Sequence, residues 1–202
     1  MVRRVPTAYL AAVLAVALTR ALTGHPSLSS LALTPDRLAS GQAWLLVTSA
    51  LIVSGPVLPQ VVALVATLLV AQRRLGAAFV CVLMLVAHVG ATLLAYAALA
   101  VFTGDADGAH NRSLDYGVSA VWLGVLGGLM AAALPFARRR VLAAAALVLI
   151  ASVAFFPLLA ATEHGLAFAL GAGAVLLRER RSAAGRLARS GASTASARAA
   201  SA

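Results

Sequence analysis

Asp115-Tyr116-Gly117-Val118-Ser119-Ala120-Val121-Trp122-Leu123-Gly124-Val125-Leu126-Gly127-Gly128 is the stretch whose reading sets the architecture. From Val118 the chain runs without a charge to Phe136. A helix over 119–136 has a length that crosses a bilayer, roughly 17–25 residues. Ala120, Gly124 and Gly128 fall four apart, a small-residue stripe that lets a second helix come close. Ser119 is the polar residue at the mouth of this helix. At about 1.5 Å per residue it lies roughly 6 Å below Asp115. It also sits at a helix N-terminus, where unpaired amides and the helix dipole favour negative charge.

The rest of the chain repeats the apolar pattern. Of 202 residues, 62% are hydrophobic and 11% charged, and mean hydropathy is +0.96. A water-soluble domain this small has nowhere to hide so much apolar surface. The composition excludes a disordered chain, a disulfide scaffold and an ordinary soluble enzyme, and it leaves a polytopic membrane protein. Cys81 is the single cysteine, so no intrachain disulfide forms. The expected fold class is all-α, a bundle of six transmembrane helices near 5–22, 57–71, 75–102, 119–136, 141–160 and 163–177. The first helix also resembles a signal peptide, but its small-x-small runs lie inside the apolar core rather than after it, which favours an uncleaved span. Trp44 to Ser54 is apolar for only eleven residues before Gly55-Pro56 breaks it. Segment 44–56 is expected as an interfacial outer loop, the alternative being the outer end of one long span running to Ala71.

The net charge of +10 comes from sixteen arginines and no lysine. Thirteen of them (Arg3, Arg4, Arg73, Arg74, Arg138, Arg139, Arg140, Arg178, Arg180, Arg181, Arg186, Arg189 and Arg198) fall on one side of the six expected spans, with Glu179 the one acid there. The other side holds Arg20, Arg37 and Arg112 against Asp36, Asp105, Asp107, Asp115 and Glu163. The faces carry +12 and −2. The positive-inside rule makes the first cytoplasmic and places both termini there. The basic balance is thus a topology signal, and no nucleic-acid partner is expected. Segment 1–178 is the expected membrane domain. Segment 179–202, rich in Arg, Ala and Ser, is expected as a disordered cytosolic tail resting on lipid. All-arginine, alanine-rich usage fits a high-GC bacterial genome, hence a bacterial inner membrane.

Polar residues at or inside spans carry the functional information. They are Gln60, His88, Ser119, Glu163 and His164. His164 opens the sixth helix from the same side as Ser119, so the two lie at nearly the same depth. Gly171, seven residues on, shares its face, within about 20°. A serine and a histidine at matched depth beside small-residue seams have the geometry of a histidine-activated nucleophile. A lone serine in a helix usually bonds its own backbone, and a histidine near a helix end is usually interfacial, so the residues alone leave both readings open. Glu163 at a helix start is a charge matched to the dipole. His88 is expected roughly 20 Å below the outer end of the third helix, too deep to reach Ser119, and to serve packing or hydrogen bonding.

These features resemble the rhomboid family of intramembrane serine proteases. Its fourth helix carries Gly-x-Ser-Gly with further small residues, and Gly117-Val118-Ser119, Gly124 and Gly127 match. Its sixth helix has a histidine followed by a glycine-rich face, as His164 and Gly171 do. Trp44-Leu45-Leu46-Val47-Thr48-Ser49-Ala50 is similar to its Trp-Arg-Leu-Leu-Thr-Ser run. The resemblance spans roughly Trp44 to Gly173. It implies a Ser119–His164 dyad that cuts membrane-protein substrates near the outer boundary, with no third acidic member, no cofactor and no metal. The implied partners are transmembrane proteins and membrane lipid. Departures from the pattern are Ala120 after the serine, Leu45 after Trp44, and Ala167 three after the histidine. The second helix of active members has His-x-x-x-Asn, which stabilises the oxyanion. Counting back from Gln72–Gly76 puts Pro56 and Gln60 there, so an oxyanion site would use Gln60 and the Ser119 backbone amide. A different class fits these departures too: a catalytically inactive rhomboid-like protein that binds transmembrane helices as chaperone or adaptor. A third is an unrelated small membrane protein whose serine and histidine only pack. Oligomeric state has no signature in these residues.

Overall fold

Apolar runs punctuated by glycine and proline become helices. The computed structural model describes residues 5–54, 56–103, 114–133 and 138–200. In chain order the helices are α1 (Val5–Thr23), three short ones, α2 (Leu28–Leu31), α3 (Pro35–Ala39) and α4 (Leu45–Thr48), then α5 (Val57–Leu75), α6 (Ala77–Leu85), α7 (Ala91–Thr103), α8 (Val118–Ala133), α9 (Arg138–Phe155) and α10 (Leu158–Ala200). Among the described residues there is no strand, only one isolated bridge between Leu33 and Asp115. Among the described residues, four helical stretches are long and apolar enough to cross a membrane: Val5–Thr23, Val57–Leu75, Ala77–Phe102 and Leu158–Gly185. Val118–Ala133 and Ala143–Phe155 are shorter apolar helices. The class expected from sequence, all-α with membrane-length helices, is what forms.

Several boundaries differ from the sequence reading. The second helix continues past Ala71 to Leu75, because Arg73 and Arg74 suit the negative end of the helix dipole. Gly76 ends it at φ +85°, a left-handed conformation that glycine adopts without a Cβ penalty, and so turns the chain into α6. The third helix is not regular. A π turn over Val86–Gly90 separates α6 from α7 and carries His88. The helix expected over 141–160 stops at Phe155, and the next starts at Leu158 rather than 163. Pro157 forces that break, since it has no N–H and its ring clashes with the preceding turn. Segment 179–202, expected to be disordered, instead prolongs α10 as far as Ala200. Alanine and arginine are among the strongest helix formers. Arg178 also ties α10 down, donating to Leu75 O at 3.0 Å with its guanidinium 4.4 Å from the Phe79 ring centre. Arg3, Arg4, most of the loop before Leu114 and the end of the fourth expected helix lie outside the described residues.

α8 lies at the centre, with α10, α5 and α6 packed around it. Its Val121 and Val125 meet Leu64 and Leu68 of α5, Leu83 of α6 and Val175 of α10 in the main core. Large apolar side chains also cover the outside: Leu58 and Val62 on α5, and Leu147, Ile150 and Val153 on α9. Segment 44–56 is separate from α5, so the long-span alternative does not form. Leu45, Ser49 and Ile52 are buried while Trp44 and Val47 are exposed. Tyr9 donates its hydroxyl to Ala50 O at 2.7 Å, which fastens this segment to α1.

Candidate active site

The crossing of α8 and α10 positions the site. A Cβ on Gly171 would collide with the Gly124 carbonyl, and one on Gly127 with the Phe168 carbonyl. A Cβ on Gly124 would collide with Ala87 of the π turn. Ser119 pairs with His164, Gly124 also meets Ala167, and Gly128 meets Val175, so contacts advance along both helices in the same direction and the two run parallel. Ser119 stands about 7.5 Å before Gly124, and His164 about 10 Å before Gly171. The two polar side chains therefore emerge side by side. Ser119 Oγ lies 2.8 Å from His164 Nε2.

The start of α8 leaves backbone donors free beside Ser119. The first backbone bond of α8 runs from Val121 N–H to Gly117 O at 3.0 Å. The amides of Val118, Ser119 and Ala120 thus have no partner inside the helix. Ser119 is the second residue of that turn, beside its own free amide.

Ser119 and His164 border a cavity of about 560 Å³. It is mostly apolar, walled by Trp122, Leu123, Val148, Ala151 and Phe155, with Ser54, Gln60 and Ser152 as further polar groups. α5, α8 and α9 supply its walls. A second cavity, of about 200 Å³, reaches the same pair past Asp115, Tyr116 and Glu163. The site is open to a large apolar space and to a smaller one in which Asp115 and Glu163 add carboxyl groups to a mainly apolar lining.

Of the residues singled out from sequence, the structure brings Ser119, His164 and Gln60 to one cavity, and Gly124, Gly127 and Gly171 to the helix crossing behind it. Gln60 donates an amide hydrogen to Ser54 O, leaving its second N–H available. Gly117 has a different reason from packing on α10. It lies flat on the His88 ring, where any Cβ would collide. His88 keeps its expected depth below the end of α7, but it lies nearer the start of α8 than that depth implied. α8 begins well below the outer end of α7, so His88 sits just under the residues that precede Ser119. Its role is hydrogen bonding, as expected: Nε2 is 2.6 Å from Leu46 O and 3.3 Å from Ser49 Oγ. Ser49 O in turn accepts from Gly117 N–H at 3.0 Å. His88 thereby fastens segment 44–56 and the start of α8 to the π turn.

Glu163 is corrected as well. It lies in the second turn of α10 and is 2% exposed, so it is not a solvated charge at a helix start. It accepts from the Thr92 hydroxyl, and the Asp115 carboxyl lies close by. Tyr96 donates to Asp115 Oδ2 at 3.3 Å. This cluster joins α7, α10 and the lead-in to α8, and the backbone bridge between Asp115 and Leu33 extends it to the segment before α3.

Two site residues have no counterpart in the sequence reading. Ser152 of α9 places Oγ 3.4 Å from His164 Nδ1, and Phe156 meets the imidazole edge-on at 4.9 Å. Ser152 is a lone hydroxyl in an Ala/Val/Leu run, the same signal that singled out Ser119. No protein-family model, curated protein or solved structure matches this chain.

Proposed function

We propose that the chain is a divergent rhomboid-like intramembrane serine protease, with six spans and both termini on the cytoplasmic side. The observation that carries this reading is the 2.8 Å contact between Ser119 Oγ and His164 Nε2 at the wall of a largely apolar cavity. α8 and α9 serve as the two shorter spans, and the arginine asymmetry orients the bundle.

The chemistry follows from the geometry. His164 Nε2 takes the Ser119 hydroxyl proton as Oγ attacks a scissile carbonyl, and returns it to the leaving amine. The free amides at the start of α8 face the developing oxyanion, with the spare Gln60 N–H as an added donor. The apolar cavity holds an unwound segment of a transmembrane substrate. The smaller cavity, which reaches the pair past Asp115 and Glu163, admits the water that hydrolyses the acyl-enzyme. No metal or cofactor enters the scheme.

A second reading is a rhomboid-like protein that binds transmembrane helices without cutting them. It is favoured by Pro56 standing where the family's second-helix histidine is expected, and by the Gln60 amide already being engaged with Ser54. A serine-directed fluorophosphonate separates the two. The protease reading expects labelling of the wild type, none in Ser119→Ala, and cleavage of a transmembrane substrate in liposomes. If the wild type neither labels nor cuts, the binding reading stands in its place.

A further inference from the structure

We infer that Ser152 is a positioning residue for His164, through which α9 sets the orientation of the base. The inference rests on the protease reading above and adds a third side chain to its machinery. Three observations carry it. Ser152 Oγ is 3.4 Å from His164 Nδ1, the nitrogen opposite the one that meets Ser119. Ser152 is buried, at 5% exposure, so water does not readily replace it. Phe156, one turn further along the chain, holds the ring from the side, with planes 84° apart.

The need for such a partner comes from the proton count. When His164 takes the Ser119 proton, both ring nitrogens carry hydrogen and both must donate. Nε2–H points back to the reacting oxygens. Nδ1–H points to Ser152 Oγ, whose lone pairs accept it. A buried donor left without an acceptor is costly, and the cost falls on the charged ring formed during attack. The arrangement matches in role the acidic residue of a catalytic triad, with a neutral hydroxyl in its place. Ser119 has a competing acceptor, Tyr116 O at 3.4 Å. A ring held by Ser152 and Phe156 keeps Nε2 at the shorter 2.8 Å contact, so the hydroxyl hydrogen is directed to the base. Ser152 also lines the apolar cavity on α9. The wall that contacts substrate is therefore the wall that holds the base.

The test uses the full-length protein in liposomes, labelled with nitrogen-15 at histidine, with the His164 signals assigned by their loss in His164→Gln. Ser152→Ala is expected to move the Nδ1 resonance and to lower kcat about five- to tenfold, the range of one lost hydrogen bond, with KM little changed. Ser152→Thr, which keeps the hydroxyl, is expected to restore both. An Nδ1 resonance that stays at its wild-type position in Ser152→Ala overturns the inference, as does full kcat in that variant. If Nδ1 moves but no form of the protein cleaves or labels, the Ser152 contact stands and the protease reading is what fails.

Discussion

Ser119 Oγ and His164 Nε2 lie 2.8 Å apart across 45 positions of chain, and just below them Gly124 and Gly171 bring the two helix backbones into contact. The glycine contact is what makes the polar contact possible. Two helices with ordinary side chains between them pack with axes about 8–10 Å apart, and small residues at the crossing bring them closer.

Ser119 and His164 are expected to act as a unit. Ser119→Ala and His164→Ala should each lower the cleavage rate by on the order of 10⁴–10⁶-fold, and the double variant should be no worse than the poorer single one. Rates measured on one transmembrane substrate in liposomes check this. Additive losses would mean that the two residues serve separate purposes.

The helix crossing should be intolerant of one added methyl group. Gly171→Ala places a Cβ against the Gly124 carbonyl, where only backbone movement gives relief. The expected cost is about 1–3 kcal/mol, the usual range for overpacking. Fluorophosphonate labelling should fall with it, because the helices must part. Gly173→Ala, where a Cβ has open space, is the control. Thermal unfolding in detergent should distinguish the two variants.

Gly117 and His88 form a testable pair. Gly117→Ala drives a Cβ into the His88 ring and should displace the start of α8. His88→Ala removes that obstacle but leaves Leu46 O and Ser49 short of a partner. Each single change should cost about 1–3 kcal/mol. The double variant should lose less than the sum, with a coupling of roughly 0.5–3 kcal/mol. Strict additivity in a double-mutant cycle would disprove the contact.

Gln60 is expected to help stabilise the oxyanion. Gln60→Ala should lower kcat by about 10²–10³-fold if the amide donates to the developing charge, while the unfolding midpoint moves little. An unchanged kcat removes Gln60 from the oxyanion site and leaves the α8 amides to act alone.

The orientation of the bundle is open to direct chemical test. In a Cys81→Ala background, Ser40→Cys should react with a membrane-impermeant maleimide added to intact cells. Ser182→Cys should react only after the membrane is opened. Both positions are exposed in the structure, so burial does not mask either one. The reverse pattern would invert the topology and put Ser119 near the cytoplasmic face.

The all-helical class and the helix-length apolar runs were legible from sequence because hydropathy and charge accumulate residue by residue. The Ser119–His164 pairing was only half legible: Ala120, Gly124 and Gly171 mark faces on which close packing is possible, but the residues alone left a paired and an unpaired reading open. Three things were not legible. The π turn that aims His88 changes helix phase, and Gly90 at its end does not announce it, because glycine is common in transmembrane helices. The depth of α8 depends on the Asp115–Leu33 bridge and on Glu163, partners remote in the chain. Ser152 meets His164 only because Pro157 turns α9 back against α10. Periodicity assigns each residue to a face of its own helix. Which faces meet, at what height and over which atoms, is settled by packing between helices, and that information exists only in three dimensions.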